Sequence, residues 1–211
     1  MKSVLLVTPC YDGRVEVPFA NNLVRLATQA QQMNYKFDWL CTNGDSNINR
    51  ARNTSAATFM QTDFQTLAFV DSDIDLAPND FWRLAQSDAP IRGAAVATKT
   101  DDGSEKLSVY AKGEQLRRAE MPREPFPVDY LGSAVLFIDR KVLETVAESL
   151  PPFRETSTGV IAVPWFENMV VDEAYLSEDY GFCHLARTAG YQIQCDPSVV
   201  VTHYGKGYWR Y

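Results

Sequence analysis

The sequence predicts an α/β fold, with a parallel sheet in its first half and a mixed arrangement in its second. Three observations predict it. Short apolar, β-rich runs alternate with stretches of helical spacing through the first hundred residues. Beyond them, polar and Pro-rich segments separate the runs, so the pattern turns mixed. Finally, the apolar run 66–70 breaks directly into Asp71, Asp73 and Asp75. Those acids sit at the carboxyl end of a core strand, the edge where open α/β sheets bind ligands.

Composition bounds the answer. The chain has 211 residues, 45% hydrophobic and 22% charged, which suits a globular protein with a sizeable core. We expect one domain spanning 1–211, which a longer protein would be able to carry as a module. The net charge of −7 argues against a general nucleic-acid surface and leaves room for a local phosphate pocket. Cys10, Cys41, Cys183 and Cys195 form no CxxC pair. Zinc and a disulfide framework are therefore not expected, and reduced thiols point to the cytoplasm. No apolar run approaches the roughly 18 residues of a membrane span. Residues 1–7 are too short for a signal peptide before they enter a core strand.

Residues 3–8 read as a central parallel strand ended by Pro9. The loop Thr8-Pro9-Cys10-Tyr11-Asp12-Gly13 leads to a helix over 17–33, with Phe19, Leu23, Leu26, Ala27 and Ala30 on one face. A second strand covers 37–41 and a polar loop 42–47. The helix predicted over 48–61 opens with Arg50 and Arg52, cations where the helix dipole prefers anions. An anionic ligand there would relieve them; a solvated arginine face is the alternative.

Strand 66–70 then delivers Asp71, Asp73 and Asp75. Carboxylates are hard ligands suited to Mg²⁺ or Mn²⁺. Asp-rich turns also arise because Asp accepts local backbone hydrogen bonds and caps helices; Asp75 fits a cap for the helix beginning near Phe81. Residues 91–97 read as a small-residue strand, 100–104 as a polar turn and 107–110 as an edge strand. The stretch 112–127 reads as a loop or mobile flap. A strand over 128–138 is interrupted at Gly132-Ser133, where a bulge or an approaching ligand is expected. A helix follows to about 149. Residues 151–171 look irregular and suited to cover a pocket. Ser177 reads as the N-cap of a helix to Ala189, with Glu178 and Asp179 in its first turn and Gly190 as its C′ residue. Strands over 191–194 and 198–202 precede the loop 203–207, which carries His203 and Lys206.

The order of these pieces is specific. Thr-Pro-x-Tyr follows the first strand and Val70-Asp71-Ser72-Asp73 the third. Ser177-Glu178-Asp179 then leads to Ala189-Gly190-Tyr191, and a late His follows the last strand. Taken together this resembles the GT-A class of nucleotide-sugar glycosyltransferases, family-2-like and carrying the Asp-x-Asp motif, from Val4 to His203. It is similar, too, to the N-terminal domain of chlorovirus glycosyltransferases. The resemblance implies a Rossmann-like three-layer α/β/α sandwich with a mixed, mainly parallel central sheet. It implies transfer of a sugar from a nucleoside diphosphate sugar, UDP-linked, to a glycan or glycoprotein hydroxyl, in the host cytoplasm if the source is viral.

Roles follow from the resemblance by position. Thr8, Pro9 and Tyr11 would line the base and ribose pocket, and Arg52, with Arg50 or Asn47, would reach the nucleotide. Asp71 would meet the ribose or a metal water. Asp73 would ligate Mn²⁺ or Mg²⁺, with Asp71 and His203 as further candidate ligands. Lys206 would meet the diphosphate, and Gly132 and Ser133 would pass beside the donor sugar. Asp179 would be the general base of an inverting reaction, with Glu178 second in line. The chain departs from the pattern in its third acid, Asp75. Arginines that follow the Gly-bearing strand in family-2-like enzymes are not clearly placed here.

Two other readings fit parts of the sequence. A nucleotidyltransferase acting on sugar phosphates also pairs carboxylates on an α/β sheet, but it normally places a Gly-rich, Lys/Arg-bearing loop after the first strand, which 8–13 lacks. A non-catalytic carbohydrate- or nucleotide-binding module would use aromatics such as Trp165, Phe166, Tyr208 and Trp209.

Overall fold

The computed structural model describes residues 2–98, 106–156 and 158–205, together with the backbone of 208–210. Its first half is the predicted alternation: β1 (Ser3–Cys10), α1 (Val17–Gln32), β2 (Lys36–Asn43), α2 (Ile48–Met60), β3 (Thr66–Val70), β4 (Ile74–Leu76), α3 (Pro78–Gln86) and β5 (Ile91–Gly93). The second half holds β6 (Lys106–Ala111), β7 (Glu114–Arg117), β8 (Phe126–Val128), β9 (Tyr130–Leu131), β10 (Val135–Asp139) and α4 (Arg140–Ala147). Then come β11 (Phe153–Arg154), β12 (Ile161–Ala162), β13 (Met169–Val171), β14 (Ala174–Leu176), α5 (Glu178–Thr188), β15 (Ile193–Cys195), β16 (Val201–Tyr204) and β17 (Tyr208–Arg210).

The main sheet runs β2-β1-β3-β10-β5-β15-β8. β1 is parallel to β2 and β3, and β15 to β5, while β10 and β8 run against their neighbours. Residues of alternating parity along β1 and β3 feed two cores. Leu5, Val7, Leu67 and Phe69 pack against α2, α4 and α5. Val4, Leu6, Ala68 and Val70 pack against α1 and α3 through Phe19, Leu26, Phe81 and Trp82. The fold is therefore a three-layer α/β/α sandwich with a mixed, mainly parallel sheet. Burying both faces explains why these strands read as continuous apolar runs. Among the described residues no helix is long and apolar enough to cross a membrane.

Several boundaries differ from the sequence reading, each for a local reason. β1 runs through Pro9 to Cys10, because β3 pairs only with Val4 to Val7. Pro9 therefore lies where the missing donor breaks no bond on that side. The stretch 112–127 is not a flap: β7 pairs with β6, and β8 closes the sheet edge against β15. The strand predicted over 91–97 keeps ladder pairing only in Ile91–Gly93. A Cβ on Gly93 would collide with the Val135 carbonyl, so this position needs glycine for close strand approach. Residues 151–171 form short hairpin strands, and Trp165 and Phe166 are buried rather than offered to a sugar. The turn predicted over 100–104 and the Lys206 side chain lie outside the described residues, as do the side chains of Tyr208 and Trp209.

Candidate functional site

The site is built on the turn that ends β3. Asp71 O accepts from Ile74 N at 3.1 Å, closing a tight turn over Ser72 and Asp73. Three other segments staple it. Asp71 N donates to Ala134 O (3.1 Å), Glu16 N to Ser72 O (2.9 Å) and Tyr204 N to Asp73 O (2.8 Å). The chain then re-enters as β4, which pairs antiparallel with β16. That pairing brings His203, 130 residues away in sequence, beside the acids (203 − 73 = 130). His203 lies in a strand, opposite Ile74, rather than in the predicted loop.

His203 Nε2 lies 3.5 Å from Asp73 Oδ2, and Nδ1 lies 3.0 Å from Ala97 O. A carbonyl only accepts, so Nδ1 carries the proton. In the neutral ring the Nε2 lone pair then faces Asp73, the tautomer a metal ligand requires. Two donors bound cis to one octahedral ion at about 2.1 Å stand about 3 Å apart, so this pair needs little adjustment to share a cation. Among the described residues no three His, Cys, Asp or Glu side chains form an all-protein cage. A carboxylate with an imidazole suits Mg²⁺ or Mn²⁺ that keeps waters or phosphates as further ligands.

Asp71 is engaged differently. Its oxygens accept from Arg52 Nη2 at 3.1 and 3.4 Å, and Arg52 Nε lies 3.4 Å from Glu178 Oε1. Arg52 is 3% exposed and lies over the Phe69 ring at 5.1 Å. The guanidinium expected to reach the nucleotide is enclosed and pairs with these two acids. Arg50 also answers to protein anions, forming two bonds to Asp45 (2.8 and 2.7 Å). Asn47 is the N-cap of α2, accepting from Arg50 N.

Glu178 and Asp179 open α5. Burial pushes the Glu178 carboxyl up, helped by neighbouring Asp179 and opposed by Arg52. Burial likewise pushes Asp71 up, with Arg52 opposing. Ser177 does not cap the helix with its side chain. Its hydroxyl donates to Asp179 Oδ1, which also accepts from Tyr180 N at 2.9 Å. Gly190 has φ +89°, the left-handed C′ position predicted for it.

The remaining predicted contacts divide. Tyr11 is 67% exposed just past β1, and Pro9 is half-buried. Thr8 is fully buried, its hydroxyl accepting from Trp39 Nε1 at 3.0 Å across the β1–β2 pair. Gly132 and Ser133 are enclosed behind the acids. Gly132 is needed because a Cβ there would lie 2.7 Å from the Ser108 Cβ. A cleft of about 370 Å³ opens at the carboxyl end of β2, lined by Cys41, Asn43, Asp45, Arg50, Glu155 and Thr158. A larger one, about 480 Å³, lies beside Arg92 and Asp139 at the opposite sheet edge, away from the acids.

Asp75 is not a helix cap. Its carboxylate accepts from Asn22 Nδ2 at 2.7 Å, and the same amide donates to Leu76 O at 3.0 Å, tying α1 to β4. Nothing in the spacing of α1 marks Asn22 for this. Asp75→Ala is expected to lower unfolding free energy by about 1–2 kcal/mol and to leave metal affinity unchanged, as chemical denaturation and metal titration would show.

The sheet order and the acid turn define a Rossmann-like α/β/α class with a polar site at the carboxyl edge of the sheet. Solved structures are similar to the chain over most of its length. A197 from STIV matches with a TM-score of 0.60 and 19% identity over 98% of this chain and 87% of its own. A Drosophila β-1,4-galactosyltransferase 7 mutant, in complex with manganese, UDP-Gal and xylobiose, matches at 0.48 and 11% identity, over 94% of this chain and 66% of its own. The inositol-1-phosphate CTP transferase of T. maritima matches at 0.45 and 10%, over 97% and 89%. At 19% identity the likeness to A197 is one of fold alone. No protein-family model and no curated protein matches the chain.

Proposed function

We propose that residues 1–211 form one metal-assisted glycosyltransferase domain. It moves a sugar from a nucleoside diphosphate sugar, uridine-linked, to a hydroxyl of a glycan acceptor, with inversion. The observation that carries this reading is the gathering of Asp73 and His203, 3.5 Å apart, with Asp71, Arg52 and the Glu178-Asp179 helix start at one sheet edge.

Asp73 and His203 would hold the divalent cation. A cation there supplies positive charge to the departing diphosphate. Asp71 faces the ribose, and Tyr11 and Pro9 flank the base at the mouth of β1. Gly132 and Ser133, enclosed in the turn between β9 and β10, back the sugar position. Asp179 accepts the acceptor hydroxyl's proton as its oxygen bonds to the anomeric carbon and the bond from that carbon to the phosphate oxygen breaks. Glu178, already paired with Arg52, orients rather than reacts.

The test is turnover of UDP-sugars with Mn²⁺ and a glycan acceptor, followed by proton NMR of the first-formed product. Asp179→Asn is expected to lower kcat by roughly 10²–10⁴-fold with donor affinity retained. A retained anomeric configuration would remove the role given to Asp179. Pyrophosphate release from a nucleoside triphosphate and a sugar phosphate would make the protein a nucleotidyltransferase. Sugar binding with no nucleotide dependence would make it a binding module.

A further inference from the structure

Arg52 joins two elements that the sequence keeps far apart. It stands on α2, reaches Asp71 at the end of β3 and Glu178 at the start of α5, and is almost wholly buried. Its contacts are unequal to its charge. The Glu178 contact, 3.4 Å, is long for a charge-assisted bond, which normally measures about 2.7–2.9 Å. Its Nη1 is enclosed with no hydrogen-bond partner. A buried donor left unsatisfied is costly, so the guanidinium has reason to re-pair when a neighbour changes. It is held in place meanwhile by the Phe69 face beneath it.

We propose that Arg52 is a positioning residue that couples the two ends of the site: two carboxylates share one guanidinium, and a ligand that engages Asp71 releases Arg52 to Glu178. Such release would draw Glu178, and the helix turn carrying Asp179, toward α2 when the donor is in place. The coupling deepens the proposed transferase reading and rests on it for its purpose, but the geometry that produces it does not need a ligand. By linkage, whatever Asp71 does to Glu178 through Arg52, Glu178 does to Asp71. The charges facing Glu178 are Asp179 on its own helix and Arg52 from α2; Asp71 lies beyond Arg52.

The experiment follows the Glu178 side-chain carboxyl by carbon NMR through a pH titration of the full chain, with no metal or nucleotide present. Wild type, Asp71→Asn, Arg52→Lys and the double variant form a cycle. Lysine keeps the charge and loses the planar fork that reaches both acids. Asp71→Asn mimics an engaged Asp71 and is expected to move the Glu178 titration down by about one pH unit. In the Arg52→Lys background the same substitution is expected to move it less than half as far. An equal shift in both backgrounds means the effect passes directly through space and overturns the proposal.

A second measurement needs no change at Arg52. Hydrogen-exchange protection of its Nε–H is expected to rise in Asp71→Asn and to fall in Glu178→Gln. An Nε–H that responds to neither also overturns it. Since neither arm contains donor or acceptor, a failed transfer assay leaves both results standing, and a failed cycle leaves the transfer reading standing.

Discussion

Asparagine at position 73 is expected to abolish useful transfer while leaving the fold intact. The carboxylate is the hard, charged donor of the Asp73–His203 pair, and an amide oxygen of similar size holds a divalent cation far more weakly. Losing about 4 kcal/mol of transition-state stabilisation corresponds to roughly a 10³-fold fall in kcat/KM. Stability should change little, because asparagine keeps the backbone bond that pins the turn, Tyr204 N to Asp73 O at 2.8 Å, and its side-chain oxygen can still face His203. Steady-state kinetics with Mn²⁺, Mn²⁺ binding by electron paramagnetic resonance, and thermal unfolding separate the two. A variant that keeps both metal affinity and turnover would end the assigned role of Asp73. A variant that unfolds would show that the carboxylate stabilises the turn, a role its one-third exposure argues against.

The scaffold of this site was legible and its wiring was not. β1 and β3 were legible because burial on both faces writes apolar runs into the sequence, and α1 because Phe19, Leu23, Leu26 and Ala30 repeat at helical spacing, although Ala27, read on the same face, is exposed. The acid turn was legible because three acids at alternate positions directly follow an apolar run, at the end of a strand where such sheets bind ligands. The α2 helix shows where such reading stops. Arg52 read as a cation facing an anionic ligand or solvent, and Asn53 and Ser55 carry no local mark of burial, yet all three are buried. The partners of Arg52 and Asn53 are Asp71, Glu178, Phe166 and Glu167, up to 126 residues away, and no local pattern carries that information. For the same reason Asp75 read as a cap: its true partner, Asn22, lies on another element. Trp165 and Phe166 suit a sugar platform only if exposed. Phe166 is instead stacked on Phe182 with centroids 4.8 Å apart, and Trp165 donates to Leu143 O at 3.0 Å.

Gly181→Ala tests whether that hidden wiring sets the geometry of the site. Gly181 stands two residues after Asp179, and a Cβ there would be driven into the backbone carbonyl of Glu167. Whether the loop can yield decides the outcome, and it is held from several sides. Asn53 accepts from Phe166 N at 2.8 Å and donates to Phe166 O at 3.2 Å and to Glu167 Oε1 at 2.8 Å. Phe166 is also wedged edge-on against Phe69 at 5.3 Å. A side chain meeting a flexible neighbour would be absorbed; one meeting pinned backbone must push its own helix away. The expected loss is about 3 kcal/mol, or a fall of roughly 6–12 °C in the unfolding midpoint for a chain of this size. Because the displaced segment is the first turn of α5, kcat should fall with the midpoint while Mn²⁺ affinity at Asp73 and His203 stays close to wild type. That split is the informative result, since general unfolding would lower both together. A midpoint within about 2 °C of wild type, less than 1 kcal/mol at this size, would mean that the Phe166-Glu167 loop moves aside freely. The position of Asp179 would then be set from somewhere other than the Asn53 clasp.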